Sequence, residues 1–450
     1  FGKQDLVSAL HRYLKPLLML TGTYPAVAMN PPYMGSRQMN ADLKSYMKTH
    51  YPMSKRDLFA VFMEVGEQNM QPGGRLGMIN QHSWMFLSSY EDLRTHVLDT
   101  TLIESMLHLG PNAFDEISGE VVQSTAFVLK NELPQGQTGT YFRLVDENSS
   151  TAKKNAFEAD EHRHNSIKQR DFEKIPEAPI AYWVSKEMIN AFVTRPPLSD
   201  LAPPRKGFDP GGGSKEYFRQ WYEVNEKSVF KRSRDLKRCK WVQFNKGGGC
   251  RKWYGDKDNI VFFGEDGRAL YEKNGASIRN KESYFKKGIT YSVISSRDPG
   301  FRTTSEDSIF YQHGATCVVP DKHQRECLLA LMNSVVVAKA LEIINPTLSF
   351  TVGDVAKVPV AESYSDITCL KSQQNVLISR KDYDEHELSW DFTQHPLIQQ
   401  NAPSLEAAYD AWKAQATDDF LQLHANEEEL NELFIDLYGL QDELSPHVEL

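Results

Sequence analysis

The sequence predicts an α/β unit built on a mostly parallel sheet, followed by a mixed α+β region and a helical C-terminal region. Three observations carry that expectation. Over residues 1–146, apolar runs of strand length alternate with segments of helical period. Over residues 205–360, short apolar runs sit between Gly, Lys and Arg. Over residues 361–450, acidic residues accompany a helical apolar period. The predicted divisions are therefore 1–146, a connecting segment 147–204, 205–360 and 361–450. A chain of 450 residues has room for two or three domains of about 150 residues each.

Leu6, Leu10, Leu14, Leu17 and Leu18 mark a first helix, stopped by Thr21-Gly22. The run from Tyr24 to Met29 reads as a buried strand. Residues 41–50 form a short polar helix. A further helix starts near Ser54, with Leu58, Val61, Phe62 and Val65 on one face and Ser54 and Asp57 at its N-terminal end. Gln71-Pro72-Gly73-Gly74 ends it. Strands are predicted at Arg75 to Ile79, Leu102 to Leu109, Val121 to Leu129 and Tyr141 to Val145, with a helix over 89–99. Residues 147–171 are polar and charged, whereas 172–204 mix prolines with aromatic and aliphatic residues. Further on, residues 323–344 read as one amphipathic helix, ended by Asn345-Pro346-Thr347. Residues 404–438 carry a long helical pattern.

The stretch that carries chemistry is Asn30-Pro31-Pro32-Tyr33, directly after the first strand. In a parallel sheet, ligand sites lie at the carboxyl ends of strands. Prolines stiffen such a loop and leave carbonyls without a competing N–H. The Asn30 side-chain carbonyl and the Pro31 backbone carbonyl can both accept N–H bonds from an exocyclic amine on a planar ring. That favours the developing sp³ nitrogen and aims its lone pair at a methyl donor. Tyr33 offers a face for stacking. A catalyst of this kind works by orientation and electrostatics.

The net charge of −9 conceals a partition. Residues 362–450 hold 19 acidic and 4 basic residues, a local −15, which leaves +6 for the rest of the chain. Basic residues between 227 and 302 are interleaved with aromatic ones. Lys246, Arg251, Lys252, Trp253, Arg279, Lys286, Lys287, Arg297 and Arg302 are the candidate contacts to double-stranded DNA. Gly211-Gly212-Gly213 and Gly247-Gly248-Gly249 lack Walker spacing and read as loops, the second near a DNA backbone. The acidic end either docks a partner or restrains DNA binding. The five cysteines form no Cys-x-x-Cys pair and the histidines no metal-spaced cluster, so neither a disulfide framework nor a metal site is expected. No long apolar span or signal-like N-terminus is present, so the expectation is a cytoplasmic protein without a membrane partner.

Asn30-Pro31-Pro32-Tyr33 resembles the signature of class-γ N6-adenine DNA methyltransferases. The resemblance extends through Lys55-Arg56-Asp57-Leu58-Phe59 and Pro72-Gly73-Gly74-Arg75-Leu76-Gly77-Met78-Ile79. Later stretches resemble the target-recognition domain of large bacterial defence methyltransferases, most of all the BREX phage-defence type. These are Phe244-Asn245-Lys246-Gly247-Gly248, Arg251-Lys252-Trp253-Tyr254-Gly255, Lys287-Gly288-Ile289-Thr290-Tyr291-Ser292, and Leu331-Met332-Asn333-Ser334 with Val352-Gly353-Asp354.

The resemblance implies a Rossmann-like catalytic domain and S-adenosylmethionine as cofactor. It implies that Asn30 and Pro31 hold the N6 amine, with Tyr33 stacked on a flipped adenine, and that other phage-defence proteins are partners. The alternatives are a DNA-recognition module of a defence or restriction-modification complex and a protein glutamine methyltransferase. The family's glycine-rich cofactor loop has no match before Asn30, and the chain starts at Phe1 rather than Met. The expectation is part of a longer enzyme, holding the base-binding half of the catalytic domain. These 450 residues should then bind S-adenosylmethionine weakly or not at all. Tight binding in a calorimetric titration would contradict this.

Overall fold

The computed structural model describes residues 3–114, 123–211, 217–273, 275–295, 298–347 and 349–449. The chain divides into two compact units, Phe1–Val184 and Ser185–Leu450.

The first unit runs α1 (Lys3–Thr21), β1 (Tyr24–Met29), α2 (Ala41–His50), α3 (Leu58–Gln68), β2 (Met70–Gln81), α4 (Glu91–Thr100), β3 (Leu102–Gly110), β4 (Ser124–Lys130), β5 (Thr138–Arg143), α5 (Ser150–Glu158) and β6 (Arg163–Lys168). The sheet order is β1-β2-β4-β3-β5-β6. Four strands, β1, β2, β3 and β5, run the same way, as expected. β4 runs against both its neighbours, and β6 runs against β5. β2 begins at Met70, earlier than its apolar run. The chain enters through Gly73, whose φ of 74° only glycine adopts freely, and the β1–β2 register shifts between Tyr24 and Ala26. Val121 and Val122 of the predicted fourth strand lie outside the described residues.

One face of the sheet is packed by Phe59, Leu76, Met78, Trp84, Leu93, Met106, Phe127, Tyr141, Phe172 and Tyr182. The other face, with Gly77, Ile79, Ala126 and Val128, is only partly covered, and α1 exposes Leu10, Leu14, Leu17 and Leu18. The predicted connecting segment divides between the units. Its part up to Val184 supplies α5, β6 and the buried Phe172 and Tyr182 to the first. Gln169 fastens it there by accepting from the Ile103 N–H and donating to the carbonyls of Leu98 and Thr101.

The second unit holds two four-stranded sheets. One has the order β13 (Ser308–Phe310), β9 (Trp241–Asn245), β10 (Asn259–Phe262), β8 (Phe218–Gln220). The other has the order β12 (Arg302–Thr303), β11 (Gly288–Thr290), β14 (Thr316–Val318), β7 (Pro204–Arg205). The expected helix over 323–344 is two helices, Lys322–Met332 and Val335–Ile344, at 67°. The break has a local cause. The Asn333 side chain exchanges bonds with the Phe301 backbone, and the Ser334 hydroxyl accepts from the Val337 N–H to start a new helix. The acidic region packs as helices Asp366–Asp384 and Leu405–Tyr438, the latter closed by Gly439 in the left-handed region. Among the described residues, no single helix is long and apolar enough to cross a membrane.

Arg94 is fully buried in the first unit and donates to the carbonyls of Trp84, Leu87 and Glu177. Arg94→Met would leave these acceptors unpartnered. We expect a loss of about 3 kcal/mol, read from the urea unfolding midpoint.

Candidate functional site

The direction of four strands gathers the polar residues of the first unit at one edge of its sheet. Asn30 follows β1, His82 follows β2, and His108 lies near the end of β3. The antiparallel β4 begins there with Ser124 and Thr125. Thr125 is paired with both Asn80 and His108. Asn30 is exposed, Pro31 buried, Pro32 exposed and Tyr33 half-buried.

The loop after Tyr33 is fixed by Asp57. Its carboxylate accepts the Met34 N–H at 2.9 Å and caps α3 through the Phe59 N–H at 3.4 Å. Around it, the Ser36 N–H bonds to the Arg56 carbonyl and the Leu58 N–H to the Met34 carbonyl. The segment 34–36 is thus laced to 56–58. Burial raises the Asp57 carboxyl above its usual range, although the backbone N–H bonds to Met34, Phe59 and Leu58 oppose the shift. The Tyr33 ring meets Phe59 edge-on, with centroids 6.0 Å apart. Its hydroxyl lies near Ser124 but outside hydrogen-bonding geometry, and burial raises its pKa.

Beneath this edge lie groups that sequence reasoning missed. His82 Nδ1 and His108 Nε2 are 2.9 Å apart, against Phe86 and Trp183. Both amide atoms of Asn80, the Ser124 hydroxyl and His108 Nδ1 are buried without a protein partner. The available signal was the switch from the apolar run at Met78-Ile79 to the polar Asn80-Gln81-His82. The pairing partners, 26 or more residues away, left none.

In the second unit, the predicted DNA contacts separate into two groups. Lys246, Arg279, Lys286 and Lys287 are exposed. Arg279 donates to Ser277, and Lys287 pairs loosely with Glu306. Arg251 and Lys252 instead meet the acidic helices, pairing with Asp382 and Glu427. Trp253 is buried, its indole N–H on Glu427 at 2.5 Å. Arg302 is 1% exposed and pairs with Asp256 at 2.9 Å. These two side chains are placed as structural groups rather than on a surface a duplex can reach. Arg297 lies outside the described residues. Gly247, Gly248 and Gly249 all have positive φ, and a Cβ on Gly247 would meet the His313 carbonyl at 1.9 Å.

The Eco57I restriction-modification methylase family matches residues 8–114. The adenine-specific methyltransferase PglX of Lacticaseibacillus casei (strain Zhang) is 39% identical over 451 residues, 96% of this chain. The adenine-specific methyltransferase BrxX of Escherichia coli O9:H4 (strain HS) is 36% identical over 457 residues, all of this chain. This chain is similar in sequence to these adenine-specific methyltransferases. It spans 37% of the length of each. Among solved structures, the Type IIL restriction-modification enzyme MmeI in complex with DNA shares the fold with a TM-score of 0.52 at 10% identity, over 94% of this chain and 55% of that one.

Similarity to methyltransferases implies S-adenosylmethionine as the methyl donor. The open sheet face beside Asn30 is lined by Ala28, Met29, Gly77, Met78, Ile79, Ser105, Leu107, Ala126, Phe127 and Val128. That lining is apolar and carries no carboxylate or glycine-rich turn to hold a ribose and an amino-acid group. It does not by itself fit the cofactor.

Burial lowers His82 to about 4 and His108 well below the ordinary 6.5. The folded state then binds fewer protons than the unfolded chain, so stability is lost as pH falls from 6.5 toward about 4. The urea midpoint should drop over that window, and more steeply than in a His82→Gln, His108→Gln double variant.

Proposed function

We propose that this chain supplies the base-binding and DNA-reading part of a site-specific N6-adenine DNA methyltransferase serving bacterial phage defence. The methyl donor is S-adenosylmethionine, held largely by residues other than the apolar lining beside Asn30. The observation that carries this reading is the Asn30-Pro31-Pro32-Tyr33 loop at the carboxyl edge of the sheet, laced to the start of α3 through Asp57.

An adenine taken out of the duplex costs a few kcal/mol of unstacking. Asn30 and Pro31 accept its two N6–H bonds, and the half-buried Tyr33 stacks on its face. Because neighbouring strands and Asp57 fix the loop before the base arrives, little ordering remains to be done on capture. The exposed Lys246, Arg279, Lys286 and Lys287 serve the phosphates of double-stranded DNA. The protein works in the cytoplasm, where that DNA lies, alongside other phage-defence proteins.

A second reading has one observation in its favour. The apolar lining beside Asn30 suits a DNA-recognition module whose chemistry depends on residues elsewhere.

The experiment is Asn30→Ala in the full-length enzyme. Adenine methylation should fall by more than about 10²-fold, while duplex affinity in a gel-shift titration stays within about twofold. Unchanged methylation would overturn the role assigned to Asn30.

A further inference from the structure

The spacing of the cysteines marks no metal site, but the packing of two helices in the second unit assembles one. Helix Lys322–Met332 carries His323 and Cys327 four residues apart, and so on one face. Helix Asp366–Asp384 lies against it and brings Cys369 to the same point. The two imidazole nitrogens of His323 stand 3.9 and 4.0 Å from Cys327 Sγ. One ligand atom from each of the three residues lies within 4.8 Å of the other two. Both sulfurs are buried, and His323 is exposed at the rim.

We propose that His323, Cys327 and Cys369 form a zinc site that staples these two helices, with a fourth position open to water. Two thiolates and an imidazole are the donor set that selects this metal over harder cations. In a tetrahedral site with ordinary Zn–S and Zn–N bonds, donor atoms stand about 3.5 Å apart. The present separations need a contraction of less than about 1.5 Å, within the reach of side-chain rotation. Binding sends the two thiol protons to solvent and takes up the neutral imidazole.

The surroundings support the site. Asp366 Oδ1 lies 3.7 Å from His323 Nε2, so with Nδ1 on the metal the other ring N–H faces a carboxylate. That is the arrangement that orients metal-bound histidines. Gln373 Nε2 lies 3.6 Å from Cys369 Sγ and can donate to a thiolate. The buried positions of helix Asp366–Asp384 are Thr368, Cys369, Ser372, Asn375 and Ser379. A helix buried through that stripe removes little apolar surface from water. Its polar side chains, such as Asn375 and Lys371, attach it to helix Leu405–Tyr438 through Asn426 and Glu429, and a metal bond to Cys369 would add an attachment to helix Lys322–Met332.

The test is metal analysis of the chain purified under reducing conditions without chelator, followed by cobalt substitution. We expect about one equivalent of zinc and a thiolate-to-cobalt charge-transfer band. Cys327→Ser and Cys369→Ser should each lower bound metal at least about tenfold, whereas Cys250→Ser, on the exposed cysteine, leaves it unchanged. A chelator should lower the thermal midpoint of the wild type and not that of Cys327→Ser. Less than about 0.1 equivalent of zinc with no cobalt band in folded wild-type protein would overturn the site. So would a Cys327–Cys369 disulfide in protein isolated without reductant, or metal retained by both serine variants.

Discussion

The edge of the sheet that carries Asn30 to Tyr33 rests on one carboxylate. Asp57 accepts from two backbone N–H groups, one on the loop that follows Tyr33 and one on the first turn of α3. Burial disfavours its charge, and the backbone bonds offset only part of that effect. Through that group the loop inherits the rigidity of α3, which is itself packed on the sheet through Phe59, Ala60 and Met63. Phe59 then sets the Tyr33 ring edge-on. The position of the Tyr33 ring is therefore decided by a helix cap, not by the loop's own sequence.

Local chemistry was legible in the sequence, and non-local pairing was not. The order of strands and helices in the first unit follows from apolar period and glycine punctuation. The Asn-Pro-Pro-Tyr loop stood out because its residue types have few other reasons to occur together after a strand. Asp57 was visible as a helix start, but its bond to Met34, 23 residues earlier, was not. The antiparallel β4 between β2 and β3 depends on a pairing that no period encodes. The bend at Asn333-Ser334 did have a local signal, a serine placed to cap, which the continuous apolar stripe obscured.

Charge was the least reliable guide. The acidic C-terminal helices read as a separate region, yet they lie in the same compact unit as the basic, aromatic segment. Glu427 reaches both Lys252 and the Trp253 indole, the latter 174 residues away in sequence. Arg302 likewise spends its charge on Asp256 in the interior. A basic residue in a sequence is a cation on a surface only if no acid elsewhere in the chain has claimed it.

If the second unit reads DNA as proposed, those internal pairings also bear on how it would search the duplex. Fewer exposed cations release fewer counterions on contact, so attraction to arbitrary sequence stays weak. Residence on any wrong site would then be short, and a larger share of the binding free energy would depend on groove contacts and duplex deformation. Discrimination between target and non-target would then owe less to positive charge than to the fit of the irregular loops that display it.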